Sequence, residues 1–98
     1  MTTKQRAWLR ALANTIEPTM QIGKDGISEN SIVQVSQMLD ARELIKIKVL
    51  QNCDYDLKQM ANILAEKTGG MVVQIVGRII TLYKVSSNKK NRNIQLPN

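Results

Sequence analysis

The sequence predicts an α/β domain in the order α-β-α-β-α-β-β, a mixed four-stranded sheet packed with helices. Three observations carry this. Apolar residues recur at helical spacing in three segments. Four short segments alternate or run continuously apolar at strand length. Glycine and proline fall between these segments and not inside them.

Thr3 to Ala13 reads as an amphipathic helix, because Trp8, Leu9, Leu12, Ala13 and Ile16 fall within one arc at 100° per residue. Trp8 is therefore expected in the core. Arg6 and Arg10 sit on one edge of the stripe, Lys4 on the other, and Pro18 follows the helix end. Thr19 to Ile22 is a short strand candidate, ended by Gly23-Lys24-Asp25-Gly26. Ser28 is placed to cap a second helix running to about Leu39 or Asp40, with Ile32, Val35 and Leu39 inward. Glu43 to Leu50 alternates, with Ile45, Ile47 and Val49 on one face and Lys46 and Lys48 on the other.

Asp54 or Asp56 can cap a third helix whose stripe is Leu57, Met60, Ala61 and Leu64, and Gly69 is its expected left-handed terminus. Met71 to Val76 and Ile79 to Tyr83 are two apolar strands whose link, Gly77-Arg78, is short enough only for a hairpin. The β-α-β portions favour parallel pairing and the final hairpin is antiparallel. Helices on both faces explain why the last two strands are so continuously apolar. Residues 1–85 form the domain; residues 86–98, rich in Ser, Asn and Lys, read as a flexible basic tail.

Composition narrows the function. The chain has 98 residues, no histidine and one cysteine, so a His-based acid–base site, a disulfide and a Cys/His metal site are all excluded. Cys53 is expected to be a small buried hydrophobe. The carboxylates fit helix starts and helix surface, so no enzyme and no cofactor are expected. No segment approaches the ~18 apolar residues of a membrane span, and no hydrophobic signal core follows Met1 to Arg6. A cytoplasmic protein, monomeric and without a small-molecule substrate, is the expectation.

Fourteen Lys+Arg against eight Asp+Glu give a net charge of +6, which favours polyanionic partners. Gly23-Lys24-Asp25-Gly26 is where that charge meets a mechanism. Glycines let the main chain approach a phosphodiester, Lys24 adds a cation, and the helix beginning near Ser28 directs its positive end towards the same space. Two glycines at this spacing most often only make a turn, so the pattern alone is weak. Its company raises its weight: Lys46 and Lys48 share a strand face, Arg6 and Arg10 a helix edge, and Arg78 the hairpin. With only Trp8, Tyr55 and Tyr83 aromatic, and no Phe, stacking on a single strand is disfavoured. The pattern is that of a backbone and shape reader for structured RNA. The rival is a protein-interaction adaptor; DNA binding lacks a major-groove helix signature.

The residues Lys4-Gln5-Arg6, Leu9-Arg10-Ala11-Leu12-Ala13, Pro18, Gln21 to Ile27, Glu43 to Lys48, and Gly77-Arg78 with Leu82-Tyr83-Lys84 together resemble the YhbY family. These are bacterial stand-alone CRM (chloroplast RNA splicing and ribosome maturation) domains. The resemblance runs from residue 3 to about 85, and Ile94-Gln95-Leu96-Pro97 is similar to the family's ending. It implies a fold like the C-terminal domain of a bacterial translation initiation factor, and RNA binding. It further implies a role on precursors of the large ribosomal subunit and their rRNA, with contact through the G-x-x-G loop and neighbouring basic surface. Carried over, those residues are Gly23, Lys24 and Gly26, with Lys46, Lys48, Arg6 and Arg10 nearby. Asp25 departs from the family, where a neutral residue is common: a carboxylate repels phosphate unless it turns away and holds the turn.

Overall fold

Three helices and four strands form in the expected order. The structure, a computed structural model, describes residues 1–97. They are α1 (Thr3–Ala13), β1 (Met20–Ile22), α2 (Glu29–Arg42), β2 (Leu44–Val49), α3 (Leu57–Thr68), β3 (Met71–Val76) and β4 (Ile79–Tyr83), followed by a short 3-10 turn at Lys89–Asn91. Each helix start has a side-chain cap that accepts from otherwise orphaned N–H groups. Thr2 and Gln5 form a capping box on α1, and Ser28 forms one with Ser31 on α2. Asp56, not Asp54, caps α3 by accepting from the Lys58 and Gln59 amides. Gly69 ends α3 as expected.

The sheet order is β1-β2-β4-β3, with β1 and β2 parallel and the other two pairs antiparallel. Parallel pairing through a helical crossover therefore holds for β1-α2-β2 but not for β2-α3-β3. The hairpin enters the sheet by its second strand. Gly77 alone of its two turn residues has positive φ, 58°, as a tight II′ connection requires. Such a turn keeps β4 antiparallel beside β3, and with β4 taking the free edge of β2, β3 is left on the outside of the sheet, parallel to β2 but not paired with it.

Both faces of the sheet are covered, as expected of its apolar strands. On one face α2 and α3 pack Val35, Leu39, Met60 and Leu64 against Ile45, Ile47, Ile80 and Leu82. On the other, α1 sets Leu9 and Ala13 against Leu44, Val73 and Tyr83. Cys53 is buried, as expected. Trp8 is not: it is 38% exposed. It lies about 100° round the helix from Leu9, and a single helix on this face buries only a narrow arc.

The C-terminal segment corrects a third expectation. Residues 86–97 are not a free tail but a strap folded back over the domain; Asn98 lies outside the described residues. Ile94 and Leu96 pack on the α1 core, and the Gln5 side-chain amide donates to the Pro97 carbonyl at 3.0 Å. The strap is held by Glu43, read from the sequence as the first residue of a strand. Glu43 instead ends α2 with φ 67° and ψ −42°, and among the described residues it is the one non-glycine at positive φ. The residue is 1% exposed. One oxygen accepts from the Ser86 amide at 2.9 Å, the other from the Asn93 and Ile94 amides at 2.8 and 3.2 Å. Such charge-assisted bonds are stronger than neutral ones and offset a backbone conformation that costs about 1–3 kcal/mol.

Asp40 supports the same strap from α2. It accepts from the Ser87 amide at 3.0 Å and hydroxyl at 2.8 Å, while its carbonyl accepts from Ser86 Oγ and Asn91 Nδ2. The Ser87 backbone N–H, then its hydroxyl, hold the Asp40 carboxyl below its ordinary 3.8.

Glu43→Gln leaves one accepting oxygen for three amides and is expected to cost about 1–3 kcal/mol, read by urea unfolding. Amide exchange should rise first at Ser86, Asn93 and Ile94. A carboxyl whose folded pKa is depressed contributes its full stability above 3.8 and loses it as pH falls through the lower folded value. The stability difference between the wild type and Asp40→Asn should therefore be constant near neutrality and shrink below pH 3.8.

Candidate nucleic-acid interface

The ends of parallel β1 and β2 place the glycine turn. The chain leaves β1 at Ile22 beside Val49, its register partner in β2, and the Leu50 amide donates to the Ile22 carbonyl at 2.8 Å. The turn closes with the Gly26 amide donating to the Gly23 carbonyl at 3.0 Å. This uses up the Gly26 N–H and leaves the Lys24 and Asp25 amides outside the turn's own hydrogen bond. Both side chains are exposed.

The two glycines are not equivalent. Gly26 has φ 70°, and a Cβ there would lie 2.6 Å from Tyr55 Cε2, so both backbone and packing exclude a side chain. At Gly23 a Cβ would meet Leu50 Cδ1 at an ordinary 3.7 Å. Geometry demands glycine at the second position alone.

Tyr55 belongs to the loop between β2 and α3, and Arg78 shapes that loop. Its Nε donates to the Val49 carbonyl at 2.9 Å, and its Nη2 donates to the carbonyls of Leu50 at 2.9 Å and Cys53 at 3.1 Å. A hairpin cation thus gathers three carbonyls of the chain leaving β2. That chain in turn sets Tyr55 against Gly26.

The structure sorts the remaining cations by position. Lys48 is exposed and lines an open groove of about 570 Å³ with Leu50, Gln51, Val76 and Gly77, at the turn's end of the sheet. Lys46 is two residues, about 7 Å, further along β2, half-buried beside Asn14, Gln74 and Thr81. Arg10 is half-buried on α1. Arg6 lies apart from the turn: its Nη1 donates to the Val72 carbonyl at 2.7 Å, at a β-bulge between Val72 and Gln74. The α2 start is also less open to an anion than its dipole suggests. Ser28 and Ser31 satisfy each other's amides, at 3.1 Å both ways, and Glu29 puts a carboxylate in the first turn.

Of the residues singled out from the sequence, Gly23, Lys24, Asp25, Gly26, Lys48 and Arg78 lie at one end of the sheet, Arg78 with its donors on backbone carbonyls, whereas Lys46, Arg10 and Arg6 lie away from it. Sequence reasoning missed Tyr55, which is 58% exposed. The available signal was its place between two aspartates in a loop, Asp54-Tyr55-Asp56, where an aromatic has no helical or strand stripe to join.

The fold and the lysine-bearing turn between two glycines describe a small α/β domain with a four-stranded mixed sheet. The chain belongs to the CRS1/YhbY (CRM) domain family, whose model matches residues 1–84. It is 43% identical over 97 residues to the "Probable RNA-binding protein YqeI" of Bacillus subtilis, covering 99% of each chain. It is 35% identical to a Haemophilus influenzae protein named "RNA-binding protein", covering 99% of this chain and 95% of that one. The solution structure of SAV1595 from Staphylococcus aureus superposes with a TM-score of 0.79 at 46% identity, over 99% of both chains. These matches extend through the strap, whereas the family model stops at residue 84.

Arg78→Ala is expected to lower stability by about 2–3 kcal/mol, because three carbonyls lose a charged donor together. Thermal unfolding checks the loss. Chemical-shift changes should centre on residues 49–55 and reach Gly26 through Tyr55.

Proposed function

We propose that this chain binds structured RNA, docking its phosphate backbone on the Gly23–Gly26 turn, and that it acts as an assembly factor on the precursor large ribosomal subunit. The observation carrying this is the turn itself. It offers the Lys24 and Asp25 amides and the exposed Lys24 ammonium on a backbone fixed from behind by Tyr55 and the Arg78-bound loop. Preorganised amides and a cation on one small knob suit a phosphate, which accepts from both. Lys48 adds a cation at the same end of the sheet. Lys46 and Arg10 extend positive charge along the α1 side, and Arg78 contributes charge from behind its carbonyls. Arg6 has a structural partner first.

Family membership and the RNA-binding names carried by relatives in B. subtilis and H. influenzae support the reading. The role is binding without catalysis, by a cytoplasmic monomer. The net charge of +6 steers the chain towards rRNA from a distance set by the salt concentration.

Binding measured by fluorescence anisotropy should weaken linearly in log affinity against log salt. Lys24→Glu should reduce affinity for every RNA sequence tried and make that slope shallower by about 1, with an unchanged melting temperature. Unchanged affinity would remove the turn from the interface. In cells, UV cross-linking with sequencing should return large-subunit rRNA; recovery of protein adducts alone would favour an adaptor.

A further inference from the structure

The phosphate-facing turn has an apolar neighbour that no electrostatic account uses. Tyr55 packs one side of its ring on Gly26 yet remains 58% exposed. With Ile27, Ile32, Met60 and Ile63 it walls an open groove of about 350 Å³ between the starts of α2 and α3. Ile63 in this groove is 44% exposed. Ser28 and Glu29 supply its polar rim, a hydroxyl and a carboxylate able to meet polar groups on a flat ligand.

The juxtaposition is informative. An anion site on one side of Gly26 and an aromatic ring on the other match the two ends of a nucleotide. A phosphate takes backbone amides and a lysine, whereas a base takes an aromatic face and aliphatic walls. The ring is also preorganised: Gly26, Arg78 and the Leu50–Cys53 turn hold its loop. An interior base pair cannot supply this ligand, since both its faces are already stacked on neighbouring pairs.

We propose that Tyr55 and this groove take one unpaired nucleobase, splayed from a folded RNA whose backbone lies on the Gly23–Gly26 turn. The site deepens the RNA-binding reading and rests on it. It makes the chain a reader of junctions, at which a helical stem meets an unstacked nucleotide. Glu29 at the rim favours a base with an exocyclic amine, which can donate to the carboxylate.

The test compares an RNA stem-loop carrying one unpaired 2-aminopurine with a blunt duplex of the same stem. The wild type should prefer the stem-loop and quench 2-aminopurine fluorescence on binding. Tyr55→Leu keeps bulk against Gly26 but removes the aromatic face. It should lose about 5- to 150-fold in stem-loop affinity, change duplex affinity little, and leave the salt slope unaltered because no cation is lost. Tyr55→Phe should behave as wild type.

The amide signal of Gly26 reports whether the turn survives each substitution. If Tyr55→Leu shifts it, the wild-type and Tyr55→Phe quenching measurements still decide. Quenching absent in both, or equal losses of Tyr55→Leu on stem-loop and duplex, overturns the base site. So does an apolar peptide that displaces no RNA yet occupies the groove. Failure of the underlying reading is distinct: the wild type would then bind neither RNA, or Lys24→Glu would bind both unchanged.

Discussion

A buried carboxylate at the junction of α2 and β2 is the constraint on which the architecture turns. Glu43 sits where the chain must reverse from helix to strand, in a conformation that side chains avoid. Its position is held at every polar group. The amide donates to Leu39 at 2.8 Å, the carbonyl accepts from Lys84 at 2.9 Å, and the two carboxylate oxygens accept from the strap. The α2–β2 corner, the exit from β4 and the C-terminal segment are thereby one cooperative unit. Burying a carboxylate is costly unless its oxygens are satisfied, and here they are satisfied by the backbone amides of Ser86, Asn93 and Ile94. The same charge lies near Tyr83, whose phenol is pushed above its ordinary 10.0 by burial first and Glu43 second.

At the opposite end of the sheet the logic is inverted, with a cation collecting carbonyls. Arg78 determines the path of the loop after β2, the loop places Tyr55, and Tyr55 requires glycine at position 26. The turn is therefore a supported surface and not a free loop. Positive residues of this chain divide accordingly. Arg6 and Arg78 spend donors on the backbone, whereas Lys24 and Lys48 are exposed. Arginine suits the first task because its planar fork can serve several acceptors at fixed angles, and lysine suits the second as a mobile point charge.

Much of the fold was legible because it follows from period and punctuation. The three helices, the hairpin, the cap at Ser28, an aspartate cap on α3 narrowed to Asp54 or Asp56, and the two-sided burial of the sheet all follow from local patterns. What escaped was non-local. Composition made residues 86–97 look unattached, since Ser, Asn and Lys carry no apolar stripe; their anchors are hydrogen bonds to residues some fifty positions earlier, as between Asn93 and Glu43. The insertion of β4 between β2 and β3 depends on which edge remains open, a property of the assembled sheet. Trp8 was misplaced because helical periodicity gives a direction and not the width of the buried arc. Within the candidate site, nothing in a list of cations distinguishes an exposed lysine such as Lys24 from an arginine already engaged such as Arg6 or Arg78.

The bulge on β3 has a consequence of another kind. An open sheet leaves two rims where a foreign strand can add, the route by which such domains coalesce into insoluble material. Here one rim is β1, only three residues long. The other is β3, interrupted by the bulge and with the Val72 carbonyl already occupied by Arg6. The arginine that sequence reasoning assigned to polyanion contact thus occupies an acceptor on the rim where a foreign strand would have to pair.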